Sequence, residues 1–148
     1  MKKLFSSLLI IGLILIGVSG CKSSKSFTFD VETGDKIKVE LNTTDGYDLS
    51  SDIPFVISKD NKTLSQGMFI KPEYYNYYID LVNEDSDSTI IDSGSNSNID
   101  YVFYSYNNSE YNYIIKVKNS NTGILLGNDH SKQEAEKCFS LLTFSKDN

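Results

Sequence analysis

The stretch that decides the fold is Ile99-Asp100-Tyr101-Val102-Phe103-Tyr104-Ser105-Tyr106-Asn107-Asn108-Ser109-Glu110-Tyr111-Asn112-Tyr113-Ile114-Ile115-Lys116-Val117-Lys118. Its two halves, Ile99 to Tyr106 and Glu110 to Lys118, are rich in aromatic and β-branched residues and read as the longest strands of the chain. Between them stand Asn107 and Asn108, which tolerate the positive φ of a tight hairpin turn. A type I′ turn there sets Tyr106 opposite Ser109 and Tyr104 opposite Tyr111. Val102, Tyr104, Tyr111, Tyr113 and Ile115 then share one face. A slip of one residue would move them to opposite faces, because side chains alternate along a strand.

Working outward, Phe27 to Val31 and Ile37 to Leu41 alternate apolar and polar around a turn at Glu32-Thr33-Gly34-Asp35, so residues 27–42 read as a second hairpin. A polar loop follows from Asn42 to Asp52. Phe55-Val56-Ile57 begins a third strand, Asp60-Asn61 turns the chain into Thr63-Leu64, and Gly67 to Ile70 is a short apolar piece. Pro72 opens a helix, where its missing N–H costs nothing. Tyr74, Tyr77, Tyr78 and Leu81 recur at helical spacing beside a second row of Tyr75, Ile79 and Val82, a stripe broad enough to pack on a sheet. Thr89-Ile90-Ile91 is a short strand, Ser93 to Asn98 a turn or mobile loop, and Ile124-Leu125-Leu126 a last strand. Ser131 with Glu134 forms a capping box ahead of Ala135, Cys138, Phe139 and Leu142 on one helical face. Strands, helix, strands, helix with hairpins dominating predicts an α+β fold: a mainly antiparallel sheet packed by two helices, in one small domain over 27–148.

All 14 basic residues are Lys, against 20 acids. Loss of residues 1–20 would remove Lys2 and Lys3 and leave 12 Lys against 20 acids, a net −8. Such a surface repels phosphate backbones, so nucleic acid is excluded as a general partner. Without Arg the chain lacks the fork used for bidentate phosphate recognition. One His and two Cys leave little material for metal or nucleophilic chemistry, and no cofactor is implied.

The N-terminus reads as an address. Lys2-Lys3 precede an apolar run from Leu8 to Val18, and the run ends in Val18-Ser19-Gly20-Cys21. The 17 residues from Leu4 to Gly20 would span about 25 Å as a helix, short of the ~30 Å bilayer core. Val18, Ser19, Gly20 and Cys21 resemble the lipobox of bacterial lipoproteins. The resemblance implies a signal peptide over 1–20 and a diacylglyceryl group on Cys21. Two acyl chains then anchor the protein stably to the extracytoplasmic face of the cell membrane. Residues 21–26 form a lipid-anchored spacer under this reading. Asn-, Ser-, Lys- and Tyr-rich usage without Arg is what an AT-rich genome gives, consistent with a low-GC Gram-positive host, and the order of elements over residues 27–145, closing on Cys138 to Phe144, is similar to that of small lipoproteins of clostridia. The late strand–hairpin–strand–helix order, closing on Cys138-Phe139-Ser140-Leu141-Leu142-Thr143-Phe144, is similar to PsbP-like α/β sandwiches; it brings no catalytic residues with it.

The tyrosines carry two readings. Tyr101, Tyr104, Tyr111 and Tyr113 offer rings for stacking on a glycan or gripping an envelope protein, and the same spacing suits an aromatic core. His130, alone and beside Asp129, forms no triad and reads as loop chemistry. Cys138 lies on an apolar stripe and reads as buried and inert. Asp92 to Asp100 fails the EF-hand pattern, with Gly94 at position 3 and Phe103 at position 12. The expected function is therefore a lipid-anchored, non-enzymatic binding or accessory module. The rival is an envelope hydrolase using carboxylates such as Glu110 or Asp100.

Overall fold

Every strand pairing in the computed structural model, which describes residues 23–147, is antiparallel. The expected signal peptide and lipobox (Val18, Ser19, Gly20, Cys21) lie outside those residues. β1 (Ser24–Asp30), β2 (Lys36–Asn42) and β10 (Leu142–Asp147) form a three-stranded sheet in the order β1-β2-β10. The larger sheet contains β3 (Tyr47–Leu49), β4 (Phe55–Lys59), β5 (Lys62–Ile70), β6 (Ser88–Ser95), β7 (Ile99–Tyr106), β8 (Glu110–Val117) and β9 (Gly123–Asn128), in the order β3-β4-β5-β9-β8-β7-β6. Helices α1 (Pro72–Glu84) and α2 (Lys132–Ser140) complete one small α+β domain, the predicted class.

The 27–42 hairpin forms but starts earlier. Ser24, Lys25 and Ser26 pair with Asn42, Leu41 and Glu40, so half of the expected 21–26 spacer belongs to β1. Asn107 and Asn108 do take positive φ, 51° and 54°, and Ser109 N–H donates to the Tyr106 carbonyl at 3.1 Å. Ser109 is nevertheless an extra residue before the ladder resumes, so Tyr106 faces Glu110 and Tyr104 faces Asn112. The register is one residue off the sequence expectation. Tyr111, Tyr113 and Ile115 share a face with Tyr101 and Phe103, while Val102 and Tyr104 point to the other side.

Three other boundaries move. The 42–52 loop contains a 3-10 turn, Thr44–Gly46, and then the short strand β3. β6 runs on through Gly94 and Ser95 rather than turning there, with a bulge between Ile90 and Asp92. Leu142, expected on the last helix, instead begins β10 opposite Leu41. The Ser131 hydroxyl caps α2 by accepting from Glu134 N–H at 3.1 Å, but the Glu134 carboxylate accepts from Tyr47 Oη at 3.2 Å. In that conformer it does not close the reciprocal half of a capping box.

The main core lies between one face of the large sheet and a cover made of the small sheet and α2. Phe55 and Phe144 are fully or almost fully buried, and Phe29 meets Phe55 and Phe69 with ring centroids 5.9 and 5.2 Å apart. Gly67, opposite Phe55 in the ladder, makes room for that ring; a Cβ there would overlap it. Overpacking of this kind costs about 1–3 kcal/mol. Gly67→Ala is expected to lower the free energy of unfolding by that amount in urea titrations followed by circular dichroism.

Below the core Asp35, only 8% exposed, ties three elements together. It pairs with Lys146 of β10 at 2.9 Å, and its other oxygen accepts from Asn121 N–H at 2.6 Å and Thr122 Oγ1 at 3.2 Å. The Lys146 bond, helped by those donors and opposed by burial, holds the carboxyl below its ordinary value. A depressed folded-state pKa contributes stability that is present above the unfolded pKa of about 3.9 and lost as pH falls. Unfolding free energy measured from pH 6 to pH 3 should therefore drop below about pH 4. Asp35→Asn should be less stable at pH 6 and should show a shallower acid limb.

Candidate functional site

Three of the four tyrosines singled out in the sequence are on the core side. Tyr113, 4% exposed, is stacked between Phe103 and Phe139, with centroids 4.3 and 4.0 Å away and planes 10° and 11° from parallel. Tyr101 leans on Phe139 at 4.9 Å and donates its hydroxyl to Asp92 at 3.0 Å. Tyr111 lies 6.5 Å from Phe103 and donates to the Asn108 carbonyl at 3.2 Å. Burial raises the Tyr113 hydroxyl well above its ordinary pKa, and also raises Tyr101, with Asp92 second. This stack fills the space under α2. The four tyrosines do not form one surface.

Tyr104 alone points to the outer face, where the ladder builds something the sequence did not display. Gln66 of β5 pairs with Gly127 of β9, Gly127 with Asn112 of β8, Asn112 with Tyr104 of β7, and Tyr104 with Ile90 of β6. Residues in register share a face, so Gln66, Gly127, Asn112 and Tyr104 stand in one row across four strands. At ~4.8 Å per strand the row is about 14 Å long. Gly127 leaves a gap in it, and Asn112 Oδ1 would lie only 3.1 Å from a Cβ at that position. Among the described residues, the side chains of Gln66, Asn112, Tyr104 and Glu110 have no hydrogen-bond partner, and none has a polar atom sealed from solvent.

The row is the shared floor of two open grooves. One, about 210 Å³, is lined by Pro54, Met68, Tyr104 and Leu125 together with Gln66, Asn112 and Gly127. The other, about 440 Å³, shares Gln66, Asn112 and Gly127 and adds Thr63, Glu110, Asp129 and His130. One side is therefore apolar and the other carboxylate-bearing. Helix α1 covers the rest of this face through Val82, its one buried residue. The expected packing stripe is only half used: Tyr74, Tyr77 and Leu81 remain exposed. Tyr77 and Tyr78 meet edge to face at 5.7 Å, and Tyr78 is close enough to Tyr104 to help burial raise its pKa.

His130 Nε2 is 2.7 Å from the Thr63 carbonyl, so that nitrogen carries the proton and donates; Asp129 Oδ1 is 3.6 Å away. Asp100 is at the far end of the same hairpin from Glu110. It pairs with Lys118 at 3.2 Å and accepts from Ser95 at 2.6 Å, and that Ser95 bond leads the lowering of its pKa. Six residues of β8 separate Glu110 from Lys116, the partner of Asp100, or about 20 Å. The two carboxylates named from the sequence do not meet. Among the described residues no group of three His, Cys, Asp or Glu could hold a metal ion.

Cys138 is fully buried behind the groove wall and donates to Glu134 at 3.7 Å, while Asn128 donates to Ser65 at 3.1 Å. Burial pushes the thiol up to about 11, Ser65 acting against the rise. In a chain carrying Cys21→Ala, where Cys138 is the sole thiol, a disulfide reagent should react at least about a hundredfold slower in buffer than in urea, since the site must open first.

Comparison with protein families, with characterised proteins and with solved structures finds no match for the chain.

Proposed function

We propose that the chain is a lipoprotein held at Cys21 on the extracytoplasmic face of a bacterial cell membrane. There it serves as a non-enzymatic binding or accessory module for an envelope partner. The observation that carries the binding reading is the row Gln66–Gly127–Asn112–Tyr104, with free polar groups on an open sheet face. Buried aromatic area stabilises the other face, so the outer one is available for recognition. The membrane anchor rests on the sequence run Val18-Ser19-Gly20-Cys21.

The hydrolase alternative needs two carboxylates about 5–9 Å apart across a bound substrate. Asp100 is engaged with Lys118 and Ser95 and stands at the other end of the sheet from Glu110. That separation removes the Glu110–Asp100 pair as a hydrolytic couple, while the unpartnered amide and phenol groups of the row favour binding.

Growth with an alkyne-bearing palmitate analogue tests the anchor. The chain should take up the label, and its mature form should have the mass of residues 21–148 plus the lipid. Cys21→Ala should abolish labelling. An unlabelled natural chain, or a label that survives the substitution, overturns the lipoprotein reading.

A further inference from the structure

Resting on the binding reading just given, we propose that the outer-face groove takes a chain of uncharged or amino-bearing sugar residues, laid across β5, β9, β8 and β7. The floor has the required chemistry. Each amide of Gln66 and Asn112 both donates and accepts, as a sugar hydroxyl does. Gly127 between them, having no side chain, lets the Asn112 amide lean over the strand with its polar groups toward the groove, and Tyr104 closes the row with a half-exposed aromatic ring and a free hydroxyl. Pro54, Met68 and Leu125 line the side that would face the C–H edges of the sugars.

Charge narrows the class. Glu110 and Asp129 line the wider end, and the chain from residue 21 carries −8. Phosphate-, sulfate- or uronate-bearing polymers would be repelled, whereas an amino group would be favoured. Topology argues against a peptide. Along the row β5, β9, β8 and β7 are hydrogen-bonded on both sides, and beyond it, where Lys62 to Ser65 pair with β4 alone, His130 already takes the Thr63 carbonyl, so the row offers no backbone edge for strand addition.

The test uses the full chain in a detergent without a sugar headgroup, titrated calorimetrically with three probes: a tetramer of N-acetylglucosamine, its fully deacetylated counterpart, and a glycerol phosphate polymer. Both tetramers should bind saturably and the polyanion should not. Tyr104→Ala and Asn112→Ala should each weaken binding about tenfold, the loss expected of a central contact. Gln66→Ala, at an exposed position, should weaken it without changing the melting temperature. Tyr106→Ala, outside the row, should leave affinity unchanged.

Absence of saturable binding by either tetramer overturns the proposal, as does binding unaffected by all three row substitutions. Tighter binding of the polyanion, or of an unglycosylated wall-type peptide, overturns it too. Shortening of the tetramers would keep the sugar assignment and remove the non-enzymatic reading. The palmitate label is read separately, so a failed anchor and a failed groove give different results.

Discussion

Antiparallel strands permit one side-chain alternation per register, and the register of β7 on β8 constrains almost everything else in this molecule. With Tyr106 opposite Glu110, Phe103 and Tyr113 come together on the inner face, where Phe139 of α2 completes a stack at 4.0–4.3 Å. The same pairing sends Tyr104 and Asn112 outward. Shifted by one residue, Tyr113 would be exposed and Asn112 would be buried without a partner. An unpartnered buried amide costs several kcal/mol in an apolar setting, of order 2–7. The hydrophobic cost of exposing two large rings adds to that, so the register is strongly specified.

Sealing the inner face leaves its polar groups to satisfy one another. Tyr47 donates to Glu134, and desolvation together with that carboxylate pushes the phenol up to about 12. Cys138 turns to the same Glu134 oxygen. Glu134 thus gives up its reciprocal cap on α2, worth a fraction of a typical cap of ~1 kcal/mol, to serve two donors that would otherwise be buried unpaired. No side-chain polar atom among the described residues is buried without a partner. Chemistry of this kind is structural; the groups without protein partners are found on the opposite face.

Alternation and turn residues made the hairpins legible in the sequence, and Pro72 with the 3.6-residue period made α1 legible. Non-local pairing was not. Leu142 continues the apolar spacing of Ala135 and Cys138, so nothing local distinguishes a further helical turn from the first residue of β10. Only the edge of β2, about a hundred residues earlier, decides it. Ser109 is the same kind of case: Asn107-Asn108 announces a turn, but one bulged residue after it reverses which tyrosines face inward. The groove residues left a fainter trace. Gln66 and Asn112 are ordinary strand positions when read singly, and the glycines at 67 and 127 inside strands were the one signal that a ring or a ligand approaches the backbone there.

The start of β1 bears on how a lipid anchor would work. Ser24 is already paired with Asn42, so an acyl group on Cys21 would leave three peptide steps, about 10 Å when extended, between membrane and sheet. That is a short leash. A domain held so closely could not sweep far from the bilayer, and Lys22 would then lie within a Debye length of the headgroups, where ~1 kcal/mol per basic residue would favour anionic lipid. The acidic remainder of the domain would be repelled by the same lipids, and the field near the bilayer would turn it outward around such an attachment point. A tether this short would therefore supply orientation more than reach, as the proposed membrane-surface module requires.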